Sequence, residues 1–233
     1  MRPFDIHYIF TAMCALLPYI WVTVYITAAS FFIGLVLGVL LAWARLGKNR
    51  ICRIIATGYV YIIRCTPSIV LLFIVFYGIP KLVSFISGAP YFYGGKSAYV
   101  IICLSLISAA SICEIVRGAY LALDSNLWDS ALCLGFTKAK AVFYVMAPQL
   151  AILALPNAVN SAANLIKQGA LAYTIGLIDL MGQSQLIIAR NFGAYGLETY
   201  LALSVIFWGL TFCIEFAANL LEKRFFHSKG ASL

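Results

Sequence analysis

Asn160, Asn164 and Lys167 recur at spacings of four and three within an otherwise apolar stretch, which sets two carboxamides and an ammonium on one face of a helix. Gln168 follows directly, and Ile166 is expected on the lipid-facing side. Arg64 is a second cation inside an apolar run, close to Thr66 and Pro67. A polar stripe with a cation at membrane depth is costly unless it lines a cavity, so these residues point to binding or passage of a polar solute. The alternative is a seam of interhelical hydrogen bonds. Bond-breaking chemistry finds no support. The chain lacks a Gly-rich phosphate loop, a G-x-S-x-G elbow and an H-E-x-x-H pair, and it has two His. Cys14, Cys52, Cys65, Cys103, Cys113, Cys133 and Cys213 are scattered without a C-x-x-C pair and read as buried free thiols. No metal site and no cofactor on this chain are expected, so any energy source must be a partner.

The elements that must position these groups are membrane spans. The 233 residues are 64% hydrophobic and 10% charged, against roughly 45–50% and 25% in a soluble domain. A span needs about 20 mainly apolar residues. Residues 21–44, 57–78, 98–112, 143–166 and 197–221 qualify, with Arg64 in the second, Pro148 and Pro156 breaking the fourth, and Glu198 and Glu215 in the fifth. Residues 171–188 make a sixth if they cross rather than re-enter. A cleaved signal is not expected, because Asp5, His7 and Pro18 interrupt the run after Arg2. The expected fold is all-α and polytopic, a single domain over residues 1–233 with about five transmembrane helices.

Basic residues mark one side. Arg45, Lys48, Arg50 and Arg53 lie between the first two spans, Arg117, Lys138 and Lys140 follow the third, and Lys223, Arg224 and Lys229 are in the tail. The opposite segments carry only Arg2, Lys81, Lys96 and Arg190. The positive-inside rule then puts the N-terminus outside and the C-terminus inside. The net charge of +8 follows from this asymmetry and from contact with anionic lipid; no basic helix or aromatic-interleaved patch points to nucleic acid.

The cytoplasmic loop, about residues 120–141, is patterned. Asp124, Ser125 and Asn126 suit a helix start, and Asp129 suits the positive end of its dipole. Leu127, Ala131 and Leu134 give a narrow apolar face beside Trp128 and Leu132, and Gly135 fits a left-handed cap. A helix lying on headgroups would carry Lys and Arg. This one carries an acid and small residues, and Ser130 and Ala131 permit close approach of another surface. Just before it, Glu114 and Arg117 are spaced for a salt bridge on one helix face.

The run Glu114-Ile115-Val116-Arg117-Gly118, then WDSALCLGF from Trp128 to Phe136 and YVMAPQ from Tyr144 to Gln149, resembles the EAA loop of ABC-transporter permeases. More narrowly it is similar to that of the polar amino-acid uptake permeases, E-x-x-R-G … G-Q-W-E-A-A-x-x-L-G … V-x-L-P-Q. YIIRCTP from Tyr61 and FYGIP from Phe76 are similar to the family's F-R-G-T-P … Y-G-L-P. Pro156, Asn160, Lys167 and Gly176 fall on its L-P-P … N … K-D-T-S-L … I-G, with Gln168, Gly169 and Ala170 in place of Asp-Thr-Ser. The resemblance covers roughly residues 4–221. It implies the permease subunit of a bacterial ABC importer, multi-pass in the cytoplasmic membrane, moving polar amino acids or related small solutes inward by alternating access. Its implied partners are an ABC ATPase that holds ATP and Mg, an extracellular solute-binding protein, and a second permease copy or a similar permease. Glu114, Arg117, Gly118, Trp128, Asp129, Ser130, Ala131, Gly135 and Phe136 would couple to the ATPase. Arg64, Thr66, Asn160, Asn164, Lys167 and Gln168 would lie along the substrate pathway. The rival is a stand-alone secondary transporter or channel driven by an ion gradient, which would carry paired repeats and midplane ionisable residues in both halves.

Overall fold

In a computed structural model, which describes residues 4–88, 95–124 and 126–227, the apolar runs form α-helices. Arg2, Ser125, Lys229 and the side chain of Arg224, named above, lie outside the described residues. Asp5 starts α1 (Ile6–Leu16) by accepting from the N–H groups of His7 and Tyr8, and a 3-10 turn at Pro18 leads into α2 (Ile20–Leu46). Asn49 caps α3 (Arg50–Cys65) in the same way. Thr66 is then extended, as a residue before proline must be, and α4 (Ser68–Ser87) starts afresh after Pro67. The expected continuous span 57–78 is therefore corrected to the end of one helix and the start of another.

The remaining elements are α5 (Lys96–Leu121), α6 (Asn126–Cys133), α7 (Lys138–Lys140), a π-helical stretch (Ala141–Met146), α8 (Ala147–Gly169), a 3-10 stretch (Ala170–Ile175), α9 (Leu180–Arg190) and α10 (Gly196–His227). Pro148 sits where the π-helical stretch passes into α8, and α8 runs on through Pro156. The fourth span is thus irregular at its two ends rather than at Pro156. Residues 171–188 do not cross: Gly176, at φ +76°, turns the chain, and Asp179 caps α9 by accepting from Gly182 N–H. Burial pushes the Asp179 carboxyl up to about 6, although backbone N–H groups favour its charged form. Five helical segments are long and apolar enough to span a bilayer among the described residues. Large apolar side chains such as Phe32, Trp43, Phe85 and Trp208 stand exposed on the outside of the bundle, the surface a hydrocarbon solvent requires.

The tightest packing joins α2 to α5. Ser30, Gly34, Gly38 and Ala42 recur every four residues on one buried stripe of α2. A Cβ at Gly34 would stand 2.3 Å from Ser108 Cβ, and one at Gly38 2.7 Å from Ile112 Cβ. Ser30 Oγ donates to the Ile101 carbonyl at 3.3 Å. Lipid supplies no hydrophobic drive between helices, so close contact of small residues holds them together. The contacts advance together along both helices, so α2 and α5 run parallel. α8 runs against them, its Gly169 beside Leu104 and Thr27. Tyr59 fastens α3 to α5 by donating to the Leu106 carbonyl at 2.9 Å, and α1, α9 and the start of α10 share a core around Leu16, Leu180 and Ala202.

Cys103 and Cys113 are buried, whereas Cys14, Cys52, Cys65, Cys133 and Cys213 are exposed. The expectation of uniformly buried thiols is corrected: a helix buries only the face it turns to its neighbours, and these five thiols stand on other faces.

Gly34→Leu and Gly38→Val should each lower folded yield and thermal stability, since overpacking costs about 1–3 kcal/mol and here meets backbone as well as side chain. Gly58→Ala, with nothing within 4 Å of the added carbon, should be tolerated. Thermal unfolding in detergent, read by size-exclusion recovery, checks the contrast.

Candidate functional site: an amide-lined cavity and the helix below it

The face of α8 that looks across to α5 carries Asn157, Asn160, Ser161, Asn164 and Gln168. These follow one another by three, one, three and four residues, the phase of one helical face. They line a cavity of about 290 Å³ whose other wall is Ser108, Ser111 and Glu114 of α5, with Arg64 from the last turn of α3. Arg64 reaches this cavity from the last turn of α3, just before the break at Thr66 and Pro67. The Ser68 hydroxyl, at the start of α4, donates to Gln168 Oε1 at 3.4 Å and steadies that amide.

Beyond Gln168 the space closes. A remnant of about 10 Å³ lies between Leu72, Val100, Leu104 and Leu171, room for about one water at most. In the other direction the cavity stays open. A second hollow of about 350 Å³ shares Glu114, Ile115 and Asn157 with it and runs along Gly118, Ala122 and Leu153 towards the end of α5.

Four of the expected pathway residues meet here: Arg64, Asn160, Asn164 and Gln168. Two do not. Thr66 turns its hydroxyl back to the Ile62 carbonyl at 2.7 Å. Lys167 is exposed and off the cavity wall, because it sits about 100° around the helix from Gln168. Ile166, expected to face lipid, is 3% exposed and packs inward. Asn157, Ser161, Ser108 and Ser111 were not anticipated, although Asn157 and Ser161 continue the three-and-four spacing in the sequence.

Glu114 is the hinge between cavity and loop. Its carboxylate accepts from Arg117 at 2.9 Å, as the spacing of three predicts, and also from Arg45 at the end of α2. Arg45 was counted only as a topology charge. Its pairing depends on the α2–α5 register, which no local pattern reveals.

The loop helix forms as expected and docks differently. Asp124 accepts from Asn126 N–H at 2.9 Å, and Asp129 lies in the first turn. Gly135 takes φ +81°. Its N–H donates to the Leu132 carbonyl while Phe136 N–H donates to that of Ala131, the paired bonds of a Schellman cap. Ala131 is 3% exposed and faces the π-helical stretch, where Ala141 is fully buried. The small residue expected to admit a foreign surface thus admits the chain itself. Leu134, expected on the inner face, is 78% exposed. Trp128 and Phe136 are half-buried, and Asp129, Ser130, Leu134 and Gly135 form the free side together with exposed Phe143 and Tyr144. Gly118 is exposed, with nothing within 4 Å of an added carbon. Among the described residues no group of three His, Cys, Asp or Glu could hold a metal ion.

Comparison with known proteins places this arrangement. The family described as "Binding-protein-dependent transport system inner membrane component" matches residues 34–227. An L-cystine transport system permease protein of Bacillus subtilis is 33% identical, over 96% of this chain and 92% of that one. A probable amino-acid ABC transporter permease protein of Vibrio harveyi is 30% identical, over 89% of this chain and 90% of its own length. The crystal structure of an amino acid ABC transporter with histidines superposes with a TM-score of 0.82, covering 96% of this chain and 100% of that one. At 24% identity that likeness speaks to the fold.

Removing the charge of Arg45 should cost more than removing that of Arg117, whose side chain is 35% exposed against 9%. Arg45→Met leaves the partly buried carboxylate short of its better-shielded partner, a loss of about 1–3 kcal/mol. Arg117→Met should cost about 0–1 kcal/mol, as exposed pairs do. Melting temperatures of the two variants and their combination would test the order.

Proposed function

The chain belongs to the family of binding-protein-dependent transport inner membrane components, and from that premise we propose that it is the permease of an amino-acid importer whose substrate passes along the α5–α8 cavity. As a member of that family it is a multi-pass, non-catalytic membrane component, and a self-sufficient transporter driven by an ion gradient is set aside. The observation that carries the proposal is the amide-lined cavity, closed past Gln168 and open along α5 towards the loop helix. Such a path takes a polar solute of modest size. The amino-acid class rests on the cystine and amino-acid permeases among the relatives.

The partners follow from the same reading. A solute-binding protein delivers substrate, and an ATPase that holds ATP and Mg engages the free side of α6, with Leu134, Ser130 and Asp129 in contact. Trp128, Ala131 and Phe136 support the helix from behind, and Glu114, Arg117 and Gly118 link it to the cavity. Asn157, Asn160 and Asn164 are exposed on one protomer, which hydrocarbon would not tolerate. A second permease, the same or similar, covers them, and the substrate passes between the two by alternating access. The basic residues set the N-terminus outside and the C-terminus inside. Supporting this, Arg45 and Arg117 both pair with Glu114, so the basic ends of α2 and α5 lie on one side, and five crossings leave the chain ends on opposite sides.

Three outcomes follow. Asn160→Leu should abolish most uptake in proteoliposomes while the complex still elutes intact; wild-type uptake would take the path away from this cavity. Gly135→Asp keeps a residue that tolerates left-handed backbone but adds a side chain and charge on the free side of the cap, so ATPase co-purification and transport should fall together while membrane insertion is kept. Single cysteines at Lys48 and Lys138, in a background without native thiols, should react only from the cytoplasmic side and one at Lys96 only from outside. Labelling of position 138 from outside would reverse the orientation.

A further inference from the structure

We propose that this cavity selects amino acids without net positive charge, Arg64 holding the substrate carboxylate and the α8 carboxamides its polar side chain; this rests on reading the cavity as the translocation path. The distribution of charge carries the argument. Two ionisable side chains line the cavity, Arg64 and Glu114. Glu114 is already shared by Arg45 and Arg117. Among the described residues none ion-pairs or hydrogen-bonds with the Arg64 side chain. Asn157, Asn160, Asn164 and Gln168 are neutral. One guanidinium is therefore left for whatever enters.

Its surroundings sharpen the preference. Arg64 is exposed on this chain alone; the second permease that covers the amides would cover it too, and charges enclosed in that way are screened less than in water. A guanidinium presents paired donors that match a carboxylate, and the resulting bond is charge-assisted at both ends. Carboxamides both donate and accept, so they suit a neutral polar side chain and accept from an α-ammonium. A substrate bringing an additional cation finds no unshared carboxylate on the wall and is repelled by Arg64. Glutamate, cystine or glutamine meets complementary groups; lysine does not.

Equilibrium binding of radiolabelled L-cystine, L-glutamine, L-glutamate and L-lysine to the purified permease–ATPase complex, without binding protein, reads the membrane site alone. At least one of the first three should bind and lysine should not. Arg64→Gln should weaken the bound probe about tenfold or more, and Arg64→Lys should recover only part of the loss, because the charge returns without the paired donors. If Arg64→Gln does not assemble, discrimination against lysine by the wild-type complex decides alone. Lysine binding as tightly as the others, no binding of any of the four, or wild-type affinity in Arg64→Gln overturns the proposal. Lost uptake in Asn160→Leu beside unchanged binding in Arg64→Gln removes the charge selection and keeps the path, whereas normal uptake in both removes the path itself.

Discussion

The contact of α2 with α5 at Gly34 and Gly38 is the constraint on which the rest of the structure depends. Any side chain there would push the two helices apart. Their closeness fixes the register that brings Arg45 to Glu114. It also fixes the rotation of α5. With one side pressed on α2, the helix turns Ser108, Ser111 and Glu114 towards α8. The polar wall of the cavity is thus a consequence of small residues on a different helix. In lipid this is the economical arrangement, because contact between backbones replaces the hydrophobic drive that water would supply.

The loop helix is not a free appendage. Ala131 is packed against the π-helical stretch, which continues without interruption into α8. A displacement of α6 therefore reaches Asn157 and Asn160 through one helical rod. It also approaches Glu114 from the other side, through the end of α5. The cavity is flanked by two elements that both begin or end at α6, which is the geometry a transport component needs if force arrives from the cytoplasm.

Much of this was legible in the sequence. The apolar runs, the cap at Gly135, the pair Glu114–Arg117 and the amides Asn160 and Asn164 all depend on spacing within one helix, and spacing is printed in the chain. What was misjudged depends on contact between helices. Lys167 looked like a member of the polar face because three residues separate it from Asn164, yet only the neighbours of α8 decide where that face ends. Leu134, expected on the apolar face with Ala131, parts from it because the cap at Gly135 lifts it away from the packed turn. The break at Pro67 was visible as a residue type. The place of Arg64 on the cavity wall was not, since that required the position of α5. The stripe of Ser30, Gly34, Gly38 and Ala42 could have been found by its spacing of four.

The closure past Gln168 bears on the cell's energy supply. The row of amides makes the wide part of the cavity hospitable to water. A cytoplasmic membrane also stores an electrochemical gradient, which protons or sodium ions would dissipate through any continuous water column. Leu72, Val100, Leu104 and Leu171, around a void of about 10 Å³, interrupt that column. These apolar side chains leave only the Ser68 hydroxyl and the Gln168 amide at the edge of the void, too few groups to replace the hydration an ion would shed on crossing.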